Sequence, residues 1–124
     1  MSDYWGYMLS IDAAKADLTR ISDKDNVANF ARELVKRIEM IPFGDPQVVH
    51  FGEGNKEGLT LVQLISTSSI TGHFVEHDGS TDGTGSYYID IFSCKPYNVD
   101  TVIQTCREFF GNTTERIHYF VRQA

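Results

Sequence analysis

The 124-residue sequence is 41% hydrophobic and 23% charged, ordinary values for one globular domain spanning residues 1–124. Its formal charge of −6, with no Lys/Arg cluster, argues against nucleic acid or an anionic membrane as the main partner. The start Met1-Ser2-Asp3-Tyr4-Trp5 lacks the basic and apolar regions of a targeting signal, and no stretch nears the ~20 apolar residues of a membrane span, so a cytoplasmic location is expected.

Tyr4 to Ile11 is rich in aromatic and branched residues and reads as a first strand. Ser22, with Asp25 three residues on, resembles a helix start. Val27, Phe30, Ala31, Leu34, Val35 and Ile38 then recur at helical spacing, with Arg32, Glu33, Lys36 and Arg37 on the opposite face. Pro42, Gly44 and Pro46 end that helix in a turn. Short strands are expected over 47–51, 59–66 and 68–76, the first two separated by a Gly-rich loop over 52–58. The tract 77–86 reads as a turn or mobile loop, and Tyr87 to Ser93 as a strand. Asn98 can cap a second helix that buries Val99, Val102, Ile103, Cys106 and Phe109 and stops at Gly111. Ile117 to Val121 is a last strand. The order β-α-β-β-β-β-α-β predicts an α+β two-layer sandwich, a mainly antiparallel sheet with two helices on one face. A core this small makes oligomerisation a natural source of stability.

The polar knot Ser66-Thr67-Ser68-Ser69 between two strands, the histidine that follows it and the cysteine closing the next strand carry the chemistry. Each has a plainer reading: a turn, a hydrogen-bonded structural histidine, and a small buried apolar residue. In a reducing compartment Cys94 and Cys106 are expected to be free thiols. Taken together, Ile65-Ser66-Thr67-Ser68-Ser69-Ile70-Thr71-Gly72-His73 and Asp90-Ile91-Phe92-Ser93-Cys94 resemble the short, prokaryotic-type S-adenosylmethionine decarboxylases. That family has an I-S-E-S-H-L-T-I-H-like processing segment followed by a D-x-F-x-C strand. The likeness extends to Gly6, Leu9 and the acidic Asp12 of the first strand.

The resemblance implies a self-processing decarboxylase of S-adenosylmethionine that serves spermidine synthesis and makes its own pyruvoyl cofactor. Ser68 matches the serine that becomes the pyruvoyl group, and Thr67–Ser68 the bond that is cut. Ser68 Oγ attacks the Thr67 carbonyl to give an ester, and loss of the Ser68 Cα proton then releases the upstream carboxylate. His73 falls on the base for that proton, Thr60 near an assisting hydroxyl, and Cys94 on the acid that protonates carbon after CO₂ leaves. Asp12, Phe74 and Glu76 are tentative substrate contacts. A homodimer with active sites near the subunit interface is implied as well.

Where the family usually has glutamate before the reactive serine, this chain has Thr67; Phe74-Val75-Glu76 replaces an aromatic-proline-glutamate run and is one residue short; the 77–86 loop is longer. The amine substrate is therefore open between S-adenosylmethionine, ornithine and arginine, as is another S-adenosylmethionine-consuming reaction on the same scaffold. An uncleaved, non-catalytic homologue that binds a ligand or partner subunit is the remaining reading. Ser68 and His73 lie five apart, on opposite faces of an unbroken strand, so a bulge or bend near Gly72 is expected. Without one, Ser69 becomes the competing nucleophile. No metal is expected. Asp78-Gly79-Ser80-Thr81-Asp82-Gly83 opens like a calcium loop, but the twelfth position falls on Ile89 and no helices flank it. His50, His73, His77 and His118 show no ligand spacing.

Overall fold

The computed structural model describes residues 4–124; Met1 to Asp3, the first part of the segment read for targeting, lie outside the described residues. Six strands form one sheet: β1 (Gly6–Asp17), β2 (Gln47–Phe51), β3 (Gly58–Ile65), β4 (Ser68–Val75), β5 (Thr84–Ser93) and β6 (Thr114–Arg122). They stand in the order β2-β3-β4-β5-β1-β6, and every neighbouring pair is antiparallel. The helices α1 (Leu18–Ile21), α2 (Lys24–Arg37) and α3 (Val99–Phe110) pack on one face, an α+β two-layer sandwich. No described helix is long and apolar enough to cross a membrane.

Strand alternation divides each strand between two layers. Leu9 and Ile11 of β1, Leu59 and Leu61 of β3, Ile70 and Phe74 of β4, and Ile89 and Ile91 of β5 are buried against the helices. From α2 come Val27, Phe30, Ala31, Leu34 and Val35, joined by Ile38 at its C-cap, the stripe expected from their spacing, and from α3 Val102, Cys106 and Phe110. Burial pushes the Cys106 thiol up to about 12, so it packs as a neutral, apolar group.

Local boundaries moved where tertiary pairing outweighed local preference. The first strand runs to Asp17 rather than Ile11, because it is clamped between β5 and β6 along its length. Its register against β5 shifts between Ala13 and Ala16, a bulge at which Lys15 adopts φ 60°. A short helix, α1, follows β1 directly and precedes the helix start expected at Ser22. The α2 cap is Asp23, whose carboxylate accepts from the amides of Asp25 and Asn26; the Ser22 hydroxyl instead donates back to the Leu18 carbonyl. Thr84, Gly85 and Ser86 belong to β5 rather than to the preceding loop. Asn98 caps α3, and Gly111 ends it in the left-handed region at φ 66°, where a side chain is disfavoured. Asn112, in the sequon Asn112-Thr113-Thr114, is buried and held by Tyr87 and Glu115.

The second face of the sheet carries no helix among the described residues. Across it run cross-strand rows, one of them Val49–Thr60–His73–Tyr88–Asp12–Arg116. Val49, Leu64, Tyr88 and Phe120 stand on this face, each close to half exposed.

Candidate active site

The chain reverses between β3 and β4 through only two residues, Ser66 and Thr67, with Ile65 and Ser68 paired on either side. Thr67 takes φ 62°, an outlying conformation for a β-branched residue, so the peptide preceding Ser68 leaves a strained position. The turn is tied down on both sides. Ser66 N donates to the Ile41 carbonyl at 3.0 Å, and the Cys94 thiol donates to Thr67 Oγ1 at 2.9 Å. Ser68 pairs with Ser93 of β5, and its hydroxyl donates to Ser93 Oγ at 2.7 Å. Ser93 Oγ also accepts from the Lys95 amide at 3.0 Å, and the residue is fully buried. A cavity of about 170 Å³ opens beside Ser68, lined by Glu39, Met40, Ile41, Ser66, Thr67 and Lys95; Lys95 Nζ donates to the Glu39 carbonyl at 2.8 Å. Ser68, Thr67 and Cys94 therefore form one cluster at one end of the sheet.

His73 is elsewhere. The pairing of β4 with β3 and with β5 is continuous through Gly72, so the expected bulge or bend near that residue is absent. Its bare Cα has another cause: an added Cβ would lie 3.1 Å from the Phe74 ring. Ser68 faces the helices, His73 faces the open side, and five residues of strand separate them by about 17 Å. Ser69 shares the face of His73 but stands four residues, about 14 Å, away, so the regular strand brings neither hydroxyl to the imidazole within one chain. The near neighbour of His73 is Thr60, its cross-strand partner on β3, with Oγ1 and Nδ1 3.3 Å apart. Both line a shallow cavity of about 380 Å³ at the β2–β4 end of the open face.

Asp12 lies further along the same row, in a separate cavity of about 580 Å³ that it lines with Tyr88, Glu115 and Arg116. Asp90 accepts a 2.6 Å hydrogen bond from Ser10, and Phe92 stacks on Trp5 with centroids 5.8 Å apart and Arg122 over its ring. Two tentative contacts fall outside this face. The Phe74 ring points into the core, 1% exposed, between Tyr87 and Phe110, so that its packing is with the core although the residue borders the cavity of Thr60 and His73. Glu76 sits past the end of β4, 3.2 Å from His50 Nε2. The 77–86 tract satisfies its own carboxylates. Asp78 accepts from Ser80 and Ser86, and hydrogen bonds from Thr84 and Lys15 hold the Asp82 carboxyl down near about 2.

Sequence reading missed Ser93 and Lys95. Both flank Cys94; alternation alone turns Ser93 away from Phe92, and only the register of β5 against β4 sets it opposite Ser68.

A family model described as S-adenosylmethionine decarboxylase matches residues 7–123. The fold is similar to the crystal structure of the adenosylmethionine decarboxylase from Aquifex aeolicus VF5, with a TM-score of 0.77 at 14% identity, covering 99% of this chain and 94% of that one. No curated protein matches the chain by sequence.

Proposed function

Because the chain belongs to the S-adenosylmethionine decarboxylase family of carboxy-lyases, we propose that it decarboxylates S-adenosylmethionine, in the service of spermidine synthesis, with a pyruvoyl group cut from its own backbone at Thr67–Ser68. The observation that carries this reading is the Ser68 turn. Thr67 is held at φ 62°, the Ser68 hydroxyl is oriented by Ser93, and a thiol stands against the Thr67 side chain. Strain at the residue before the cut raises the energy of the intact turn, so a rearrangement to the ester that lets Thr67 relax is favoured.

The residues present fit the cofactor. A pyruvoyl end at position 68 stays anchored by the rest of β4, and opens onto the cavity lined by Met40, Ile41 and Lys95. When formed, its carbonyl supplies the electron sink for loss of CO₂. Cys94, whose thiol donates to Thr67 Oγ1 beside the cut, is the group that returns a proton to carbon. His73, kept in orientation by Thr60, is the base for the Ser68 Cα proton.

Since about 17 Å of strand separates them in one chain, His73 serves the Ser68 of a second copy in a homodimer. The bare face, with Val49, Leu64, Tyr88 and Phe120 near half exposed, supports that association. The same separation is the one observation favouring the second reading, an uncleaved homologue that binds a ligand or a partner subunit.

A denaturing gel with intact masses tests the proposal. Two fragments divided at Thr67–Ser68, the second beginning with a pyruvoyl group, are expected, and Ser68→Ala should abolish them. Mixing Ser68→Ala with His73→Ala chains should restore cutting, since each supplies what the other lacks. A parent chain that stays whole at 14.0 kDa sinks the pyruvoyl mechanism and leaves the uncleaved homologue. Labelled CO₂ release from S-adenosylmethionine, ornithine and arginine decides the substrate.

A further inference from the structure

At the opposite end of β3 and β4 from the Ser66–Thr67 turn, three strands deliver side chains to one point. His50 comes from the edge strand β2, beside Leu59. Glu57 and Glu76 stand across from one another just beyond the Gly58–Val75 pair, with the Glu76 amide donating to the Glu57 carbonyl at 3.2 Å. Nε2 of His50 lies 3.2 Å from Glu76 Oε2 and 3.3 Å from Glu57 Oε2, and the three donor atoms all fall within 4.8 Å of one another. The second oxygen of Glu57 is 3.3 Å from Nε2 of His77.

Two carboxylates thus converge on one ring nitrogen that carries at most one proton. Among the described residues, the ion-pair partners of these two glutamates are histidines, with no lysine or arginine. The separations suit a shared cation. Zinc binds imidazole and carboxylate at about 2.0–2.2 Å, and a tetrahedron of that radius has edges of about 3.3–3.6 Å. The distances of 3.2 and 3.3 Å from His50 are already near that length.

We propose that His50, Glu57 and Glu76 form a three-ligand site for a divalent transition ion of the zinc class. An imidazole among the ligands favours such an ion over magnesium or calcium, which take oxygen donors. His77, its Nε2 3.3 Å from the far oxygen of Glu57, orients that ligand from the outer shell, and the fourth position is left to water. The ion clips the edge strand β2 and the 52–57 loop to the ends of β3 and β4. The site lies at the opposite end of β3 and β4 from Ser68. It also gives Glu76 a role other than contact with a substrate.

The test uses the full chain, treated with a chelator and then titrated with zinc by calorimetry and with cobalt by visible absorption. One ion per chain is expected, with the intense bands of four-coordinate cobalt and a melting temperature that rises with zinc. Glu76→Gln, nearly isosteric, and His50→Ala should each weaken zinc binding at least about 100-fold, and His77→Ala about 10–100-fold. His118→Ala, on the remote strand β6, should leave it unchanged. Absence of saturable one-to-one binding overturns the proposal. So does binding that survives both Glu76→Gln and His50→Ala, or that falls equally in His118→Ala.

Discussion

Phe74 offers a sharp separation between a residue that builds the protein and one that touches its substrate. Its ring stacks on Tyr87 at 5.7 Å and tilts against Phe110 at 5.0 Å, and it is 1% exposed. Truncation to alanine leaves a cavity in a three-ring cluster that the neighbouring strands cannot close, at a cost of about 3–5 kcal/mol. An unfolding entropy of about 2.1 cal/mol/K per residue gives about 0.26 kcal/mol/K over the whole chain, hence a fall in Tm of about 12–19 °C. Phe74→Leu keeps most of the volume and should cost about 1.5 kcal/mol or less, about 6 °C. Both changes belong in a Ser68→Ala background, so that one continuous chain unfolds. Urea titrations followed by circular dichroism should show a lower midpoint at unchanged slope. A Phe74→Ala protein that melts within about 3 °C of its parent yet binds substrate tenfold more weakly would refute the core assignment.

Three further outcomes follow from the same geometry. Ser93→Ala removes the acceptor for the Ser68 hydroxyl, so chain cutting, timed on gels, should slow by tenfold or more while Ser93→Thr retains it; an unchanged rate would show that Ser93 plays no part in orienting Ser68. In the native protein Cys94, partly exposed, should react with a thiol reagent at pH 8 while Cys106 reacts only after unfolding; two fast thiols would contradict the buried position of Cys106. Burial raises the folded Cys106 thiol to about 12 against about 8.5 unfolded, so its contribution is whole below pH 8.5 and is lost as pH rises toward 12. Between pH 9 and 10 the parent should therefore lose about 1.4 kcal/mol more stability than Cys106→Ala, measured by urea unfolding, and equal slopes would argue that the thiol titrates normally.

Local sequence determined a good deal of this molecule. Helical spacing marked the α2 stripe from Val27 onward, because burial of one face imposes a period that a short window already shows, and aromatic and branched runs between turn residues marked the six strands in order. The two motif segments around Ser68 and Cys94 pointed to the family for a related reason. The serine, histidine and cysteine stand in the family's order on one hairpin and the next strand, a pattern that a local reading displays whatever the pairing of the strands. What needed the tertiary structure was every relation across strands. Register decided that Ser68 meets Ser93, that His73 meets Thr60 on the opposite face, and that no bend at Gly72 joins the two. It also decided that Phe74 belongs to the core, since its orientation follows from strand parity and from the side on which the helices pack. The grouping of His50, Glu57 and Glu76 is of the same kind. Three residues scattered over 27 positions carry no ligand spacing in sequence, yet antiparallel pairing of their strands sets their donor atoms within 4.8 Å of one another.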